Sequence, residues 1–321
     1  MIELGYALSS EEHSPPDLVR FAQRAEESGF GFALISDHYH PWTDRQGHSA
    51  FVWDVIGAIS QCTEKLVLGT GVTCPMIRIH PAIIAQAAAT AATLMPGRFF
   101  LGVGSGENLN EHILGDKWPP ADTRIEMLEE AVEVMRLLWE GGLKSHEGDY
   151  YVVENARIYD LPGEPVPVLV AASGKQAAQL AGRIGDGFIG TSARKEIVQA
   201  FESGGGKGKP KYGQISVCRA EDEKSAVKTA HEWWPTAGLG GQLSTELALP
   251  EFFEQAAENV TEDKVREAIV CGPDAAAVRD KIAEYEKAGY SHVYIHQVGP
   301  DQEGFFRFAE QELLRTPAAR R

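Results

Sequence analysis

Short apolar runs alternate with amphipathic stretches along most of the chain. An apolar run bounded by turn residues is typical of a buried strand, and apolar residues recurring every three or four positions are typical of a helix. The strand-like runs are Ile2–Leu8, Phe32–Ile35, Leu66–Gly71, Arg98–Gly102, Val166–Ala171, Asp186–Gly190, Gln214–Cys218 and His292–His296. The helix-like stretches are Pro16–Ser28, Ser49–Gln61, an alanine-rich stretch from Pro81, Thr123–Trp139, Lys175–Arg183, Asp263–Glu267, Asp274–Ala288 and Gly304–Leu314.

Alternating strands and helices fit two architectures, an open doubly wound sheet and a closed barrel. Eight strand-like runs in 321 residues favour an α/β fold of the (β/α)8 TIM-barrel type, with insertions at the C-terminal mouth. We expect one domain over residues 1–321. His146–Val153 predicts a small hairpin outside the barrel, and Gly204–Pro210 predicts a mobile surface loop. The stretch from there to Asn259 predicts an insertion that covers the barrel mouth.

Composition and charge narrow the class of protein. A hydrophobic content of 43% and a charged content of 24% are typical of a globular protein. The net charge of −16 argues against binding to nucleic acid or anionic membranes. The four cysteines fit neither a zinc site nor a disulfide scaffold, and no metal site is expected. The N-terminus does not resemble a signal peptide and no apolar run would span a bilayer, so we expect a cytoplasmic protein.

Small and polar residues collect where the predicted strands end, which is where TIM barrels place their active sites. These strand ends are Ser36-Asp37-His38, Gly71-Val72-Thr73, Gly104-Ser105-Gly106-Glu107, Ala172-Ser173-Gly174, Gly190-Thr191-Ser192 and His296. Small residues let a ligand approach the backbone closely, and the helix that follows Gly174 favours an anion at its N-terminus. The alternative is that the glycines serve only tight barrel turns.

The richest candidate chemistry follows the second predicted strand. The imidazole of His38 can exchange a proton near neutral pH, Asp37 can orient a ring or bind a ligand, and Trp42 offers a flat apolar wall. At the fourth strand end, Glu107 is a candidate general acid or base. The alternatives are a polar turn at the first position and a solvated loop carboxylate at the second.

Five longer motifs lie on this frame. They are Ser36-Asp-His-Tyr-His-Pro-Trp42, Gly69-Thr-Gly-Val-Thr-Cys-Pro75, Pro81-Ala-Ile-Ile-Ala-Gln86, Gly102-Val-Gly-Ser-Gly-Glu-Asn-Leu-Asn-Glu111 and Gly185-Asp-Gly-Phe-Ile-Gly-Thr-Ser192. Together they resemble the luciferase-like superfamily, and within it the branch of oxidoreductases that use the deazaflavin coenzyme F420. The resemblance is dense up to Thr191 and thinner from there to Val260.

The resemblance implies a TIM barrel, a homodimer, F420 at the C-terminal mouth and a cis peptide between Gly71 and Val72. It also implies hydride transfer, in which His38 takes the hydroxyl proton and Trp42 packs against the reacting centre. Glu107 would supply a proton to the ring or steady its charge. The implied cofactor contacts are Asp37, Gly71, Val72, Asn110, Ala172, Ser173, Gly174 and Thr191.

The substrate residues set this chain apart within the branch. The F420-dependent glucose-6-phosphate dehydrogenases hold the sugar phosphate with three basic residues, which align here with Arg194, Ser244 and Glu267. Because one positive charge remains and Glu267 would repel a phosphate, we expect a neutral alcohol or carbonyl substrate rather than glucose 6-phosphate. Two rival hypotheses stay open: an FMN-dependent monooxygenase, and a non-catalytic member that only binds cofactor.

Overall fold

The computed structural model describes residues 2–314. Its strands are β1 Glu3–Leu8, β2 Phe32–Ile35, β3 Val67–Thr70, β4 Phe99–Val103, β5 Lys144–Glu147, β6 Val152–Ala156, β7 Val168–Ala171, β8 Gly187–Gly190, β9 Lys211–Cys218, β10 Ile269–Cys271 and β11 His292–Gln297. Its α-helices are α1 Pro15–Ser28, α2 Val52–Cys62, α3 Pro81–Leu94, α4 Asn108–Glu111, α5 Ala121–Trp139, α6 Lys175–Ile184, α7 Lys195–Phe201, α8 Glu223–Trp233, α9 Leu243–Glu246, α10 Pro250–Ala257, α11 Glu262–Ala268, α12 Ala275–Ala288 and α13 Gln302–Glu312.

Eight parallel strands close into a barrel in the order β1-β2-β3-β4-β7-β8-β9-β11. Pairing of β8 with β9 and of β11 with β1 completes the ring. The predicted (β/α)8 TIM barrel is therefore confirmed. The three-residue strand β10, which the sequence pattern did not predict, pairs with the C-terminal half of β9 beyond the point where β8 leaves it.

Alternating side chains of the strands fill two layers of core. Phe32 and Leu34 point into the barrel, where they pack with Phe100, Leu169, Ile189 and Tyr294. Ala33 and Ile35 belong instead to the large outer core between the barrel and its helices. This alternation is what a two-residue side-chain period requires when both faces of a parallel sheet are buried.

Most element bounds follow the sequence pattern. Strand β2 has the predicted bounds, whereas β9 begins at Lys211, three residues before the predicted start. The predicted hairpin is present as the antiparallel pair of β5 and β6. The predicted covering insertion is present too, because residues between Trp234 and Phe253 line the cavity at the barrel mouth.

The prediction of a mobile surface loop at Gly204–Pro210 was wrong. Residues Glu202–Gly206 form a π-helical turn that packs on α6. A Cβ on the first glycine of the segment would lie 2.2 Å from the carbonyl oxygen of Gln179, so only glycine allows this approach. Lys209 Nζ also donates to the carbonyl oxygen of Gly182 at 2.9 Å.

The four cysteines are free thiols. Cys218 and Cys271 are register partners on β9 and β10. Burial raises the pKa of Cys218 to about 12 and that of Cys271 to about 11, which keeps both thiols protonated near neutral pH. Within the described residues, no helix combines the length and apolarity needed to cross a membrane.

Candidate active site

A cavity of about 460 Å³ opens at the C-terminal ends of the barrel strands. Its barrel side is lined mainly by small and apolar residues such as Ala7, Leu34, Val72 and Ile189. The insertion supplies a second wall made of Trp234, Thr236, Leu239, Ser244, Thr245 and Phe253. No lysine or arginine is found among the residues from 2 to 314 that line it. A concave site with an apolar base and a few polar groups suits a flat ring and a small polar substrate.

The structure brings most of the predicted site residues to this cavity. Those that line it are His38, Trp42, Gly71, Val72, Glu107, Ala172, Ser173 and Thr191. The peptide bond between Gly71 and Val72 is cis, as the resemblance implies. The predicted residues that do not line the cavity are Asp37, Asn110, Gly174, Arg194 and Glu267.

Asp37 lies beneath the cavity rather than at its surface. Its Oδ1 accepts a hydrogen bond from Arg78 at 2.8 Å, and its Oδ2 accepts one from the Thr73 hydroxyl at 2.8 Å. The Arg78 guanidinium also lies 3.6 Å from the Glu111 carboxylate. Asp37 therefore links the end of β2 to Thr73 and Arg78 beneath the cavity, and its contact with the cofactor stays a prediction.

Asn110 is also buried, and it links two parts of the site. Its Oδ1 accepts hydrogen bonds from the backbone N–H groups of Tyr39 and His40, at 2.9 and 3.2 Å. Its Nδ2 donates to Glu107 Oε2 at 3.3 Å. Asn110 therefore fixes the segment that carries His38 relative to Glu107.

Three predicted residues lie at the rim or away from it. Gly174 caps the N-terminus of α6, next to Ser173. Arg194 is half-exposed and donates a hydrogen bond to the Ser173 carbonyl oxygen. Glu267 is exposed on α11, and the structure does not bring it to the cavity.

His38 is held by a buried carboxylate that sequence reasoning missed. Its Nε2 lies 3.3 Å from Glu11 Oε1, and its Nδ1 lies 3.2 Å from the carbonyl oxygen of His40. Glu11 Oε2 accepts hydrogen bonds from the hydroxyls of Ser36, at 2.5 Å, and Ser9, at 3.1 Å. Both ring nitrogens of His38 therefore face oxygen atoms that can accept a hydrogen bond.

The electrostatics of Glu11 follow from these partners. Burial raises the pKa of this carboxyl group, but the charge of His38 and the Ser36 hydrogen bond lower it by more. The net pKa lies below the ordinary value, so Glu11 is ionised near neutral pH. A buried carboxylate beside an imidazole stabilises the charge that the ring acquires when it takes a proton.

A second pair of the same kind joins the next carboxylate to another imidazole. Glu12 Oε2 lies 2.6 Å from His296 Nε2, and Glu12 Oε1 accepts a hydrogen bond from the backbone N–H of Gly299 at 2.9 Å. His296 lines the cavity from the end of β11. The signal for both carboxylates was available: Ser9-Ser10-Glu11-Glu12 follows the first predicted strand, at the same barrel end as the other candidates.

Each imidazole packs against a tryptophan. The rings of His38 and Trp42 have centroids 5.1 Å apart, and those of His296 and Trp234 have centroids 4.5 Å apart. Trp42 in turn packs edge-on against Phe253 of the insertion at 5.1 Å. The insertion therefore supports both histidines through aromatic contacts.

Comparison with known proteins decides the family. Residues 1–292 match the luciferase-like monooxygenase family. The chain belongs to this family. The resemblance inferred from the five motifs is thereby confirmed.

Two relatives within this family share nearly the whole length. The F420-dependent glucose-6-phosphate dehydrogenase of Segniliparus rotundus is 37% identical over 325 residues, covering 97% of each chain. The protein of the same name from Mycobacterium tuberculosis is 35% identical over 326 residues, also covering 97% of each.

A solved member of the family has closely similar geometry. It is an F420-dependent secondary alcohol dehydrogenase in complex with an F420–acetone adduct. It superposes with a TM-score of 0.91 at 30% identity, over 98% of this chain and 99% of that chain. The F420-dependent tetrahydromethanopterin reductase of Methanopyrus kandleri, at 24% identity and a TM-score of 0.78, shares the fold.

Proposed function

We propose that this protein is an F420-dependent oxidoreductase that transfers a hydride between the deazaflavin ring and an alcohol or the corresponding carbonyl compound. The observation that carries the proposal is the pairing of His38 with the ionised Glu11 inside the barrel-mouth cavity. That pairing provides a proton-exchanging group where a ring cofactor and a small substrate would meet. The likeness to relatives named as F420-dependent supports the choice of cofactor.

The residues of the cavity fit a flat ring with an anionic tail. Gly71, Val72 and Ala172 would contact the ring, because they present little side-chain bulk. Ser173 and Thr191, at the N-terminus of α6 and at the end of β8, would bind the tail through hydroxyl and backbone N–H groups. When bound, F420 supplies a ring carbon that accepts or returns a hydride.

The side chains of this chain supply the rest of the chemistry. In alcohol oxidation, the His38 imidazole takes the proton of the substrate hydroxyl, and Glu11 stabilises the resulting positive charge on the ring. In carbonyl reduction, His38 returns that proton to the substrate oxygen. Glu107, whose carboxylate is positioned by Asn110, would stabilise charge on the bound ring. Trp42 packs beside His38 and keeps water from the reacting oxygen.

The class of substrate follows from the charges around the cavity. Among the described residues, its acidic and imidazole lining groups are Glu11, His38, Glu107 and His296, and the nearby Arg194 already donates to a backbone carbonyl. The hydroxyl groups and the helix N-terminus that suit an anion, at Ser173 and Thr191, are assigned to the cofactor tail, so a phosphate on the substrate would be left without a stabilising partner. We therefore propose an uncharged alcohol. Glucose 6-phosphate is the second candidate, because relatives 35–37% identical carry that substrate in their names.

Two measurements test the proposal in order. The first compares F420 with FMN in binding titrations of the purified protein; tight F420 binding is expected, and tight FMN binding with oxygen consumption would favour a monooxygenase. The second follows F420 reduction with secondary alcohols and with glucose 6-phosphate. Turnover of glucose 6-phosphate alone would overturn the neutral substrate. Binding of F420 with no turnover, unchanged by His38→Ala or Glu107→Gln, would indicate a non-catalytic protein.

We also propose that the protein is a homodimer through the face of α2 and α3. On this face Phe51, Ile83 and Leu94 are 55%, 57% and 43% exposed and line one apolar groove. Apolar patches of this kind mark protein contacts. Light scattering should give twice the chain mass of 35.0 kDa, and Ile83→Asp should give the monomer. Leu143→Asp, on the hairpin, is the matched control and should leave the dimer intact.

A further inference from the structure

His296 is the one cavity histidine for which the proposed reaction has no use. It lies at the end of β11, next to β1 on one side and β9 on the other. Its side chain is 3% exposed, and the Glu12 side chain that holds it is fully buried. A carboxylate with no access to water is retained at a cavity only when it orients a group that matters there or supports the fold.

Glu12 sets which ring nitrogen carries the hydrogen. Because Oε2 of Glu12 is an acceptor 2.6 Å from His296 Nε2, the neutral ring places its hydrogen on Nε2. Nδ1 is then a hydrogen-bond acceptor. Its one contact in the described structure is the Ser216 hydroxyl at 3.4 Å, which is long for a hydrogen bond.

Nδ1 lies on the β9 side of the ring. Nε2 faces Glu12, which follows β1, while Nδ1 faces Ser216 on β9. His38 follows β2, on the opposite side of β1 from β11. A substrate oxygen that meets Nδ1 is therefore a different oxygen from the one that exchanges its proton with His38.

We propose that His296 is a specificity-determining residue that accepts a hydrogen bond from a second hydroxyl group of the substrate. Glu12 is the positioning residue that makes Nδ1 the acceptor. The substrate class is then an alcohol with at least one further hydroxyl on the β9 side of the cavity. This deepens the proposed function, since it rests on an alcohol reacting at His38.

The test compares binding of matched compounds to the full chain, with and without F420. The compounds are the cyclohexane 1,2-, 1,3- and 1,4-diols, the mono-O-methyl ether of each, and cyclohexanol. The ethers keep the second oxygen and remove its hydrogen. Calorimetry should show at least one diol binding about threefold to tenfold more tightly than its ether, the range expected for one neutral hydrogen bond.

Three variants test whether His296 causes the difference in affinity between the diol and its ether. His296→Phe should abolish it while cyclohexanol binding stays within about threefold. His296→Gln should keep part of it, because the amide oxygen can accept a hydrogen bond. Glu12→Gln should reduce it, because an amide can donate to Nε2 and shift the ring hydrogen to Nδ1. His48→Phe, at an exposed histidine, is the control and should leave the difference unchanged.

Two results would overturn the inference: no diol preferred over its ether in the wild-type protein, or a preference that survives His296→Phe. Equal loss of all the compounds in His296→Phe and His296→Gln would assign a structural role instead. Failure of the proposed function is separate. Absence of turnover with every alcohol would reject the oxidoreductase proposal, while the binding preference would still report on His296.

Discussion

Two carboxylate–imidazole pairs flank the end of β1, and they differ in how they use the ring. Glu11 and His38 are 3.3 Å apart, whereas Glu12 and His296 are 2.6 Å apart. In the first arrangement both ring nitrogens face oxygen acceptors. In the second, the nitrogen that does not face the carboxylate has a single polar contact, with the Ser216 hydroxyl.

Two successive residues of one turn, Glu11 and Glu12, therefore hold two imidazoles in different surroundings. The carboxylates are chemically the same, so what separates them is the rest of the environment. Glu11 receives two hydroxyl groups, from Ser9 and Ser36, whereas Glu12 receives one backbone N–H from Gly299. The proposed proton-transfer and recognition groups therefore lie on opposite sides of β1.

Removing the first imidazole should have the largest effect. His38→Ala should lower kcat by about 100-fold or more, because a positioned acid or base acts mainly in the transition state. The Kd for F420, measured by fluorescence titration, should stay within about threefold. Equal losses in kcat and in F420 affinity would show that His38 is structural and would remove the contrast with His296.

Neutralising each carboxylate in turn sharpens the comparison. Glu11→Gln should lower kcat about tenfold, equivalent to about 1.4 kcal/mol of transition-state stabilisation, because an amide cannot stabilise the charged ring. Glu12→Gln should leave kcat with a monoalcohol within about threefold. The measurement is the steady-state kcat of both variants with a monoalcohol. Equal losses of kcat in the two variants would mean that the two carboxylate–imidazole pairs have the same role.

Substitution of the two tryptophans should also separate an effect on kcat from an effect on KM, and both effects should be smaller. Trp42→Phe should lower kcat about threefold and leave KM nearly unchanged, because it loosens the packing on His38. Trp234→Phe should raise KM for the preferred diol about threefold and leave kcat nearly unchanged. If Trp234→Phe lowers kcat and Trp42→Phe raises KM, the assignment of the two histidines is reversed.

The smallest expected effect is on stability as a function of pH. Because the pKa of Glu11 is lowered in the folded protein, its ionised form stabilises the fold above the ordinary carboxyl range. That contribution is lost as the pH falls through the folded-state value. The Tm advantage of the wild type over Glu11→Gln should therefore be constant from pH 7 down to about pH 5 and should shrink as the pH falls below the ordinary carboxyl value. For the exposed Glu27, Glu27→Gln should show no such trend.

The barrel and the segment that carries His38 could be predicted from the sequence because their signals are local. Strand β2 is a four-residue apolar run that ends in polar residues; its bounds were predicted, and the predicted residues His38 and Trp42 line the cavity. Glu11 and Glu12 also follow a predicted strand, but that signal was passed over because two acidic residues in a turn are usually solvated. What buries Glu12 is a histidine 284 positions away, a pairing that depends on closure of the barrel.

The remaining errors have the same origin in contacts between distant segments. The turn at Glu202–Gly206 looks like a surface loop by composition, yet Gly204 is needed there because the backbone of α6 at Gln179 leaves no room for a Cβ. Strand β10 has three residues after a helix, and only its partner β9 makes it a strand.

The insertion that covers the barrel has a practical consequence for redesign. One contiguous stretch, residues 234–253, provides a whole wall of the cavity, whereas Glu11 and His38 belong to the barrel itself. Exchanging that stretch for the corresponding one of another family member would replace the outer wall of the pocket in a single step. The proton-transfer machinery would remain in place, so new substrates could be sought by segment grafting instead of by rebuilding the catalytic centre.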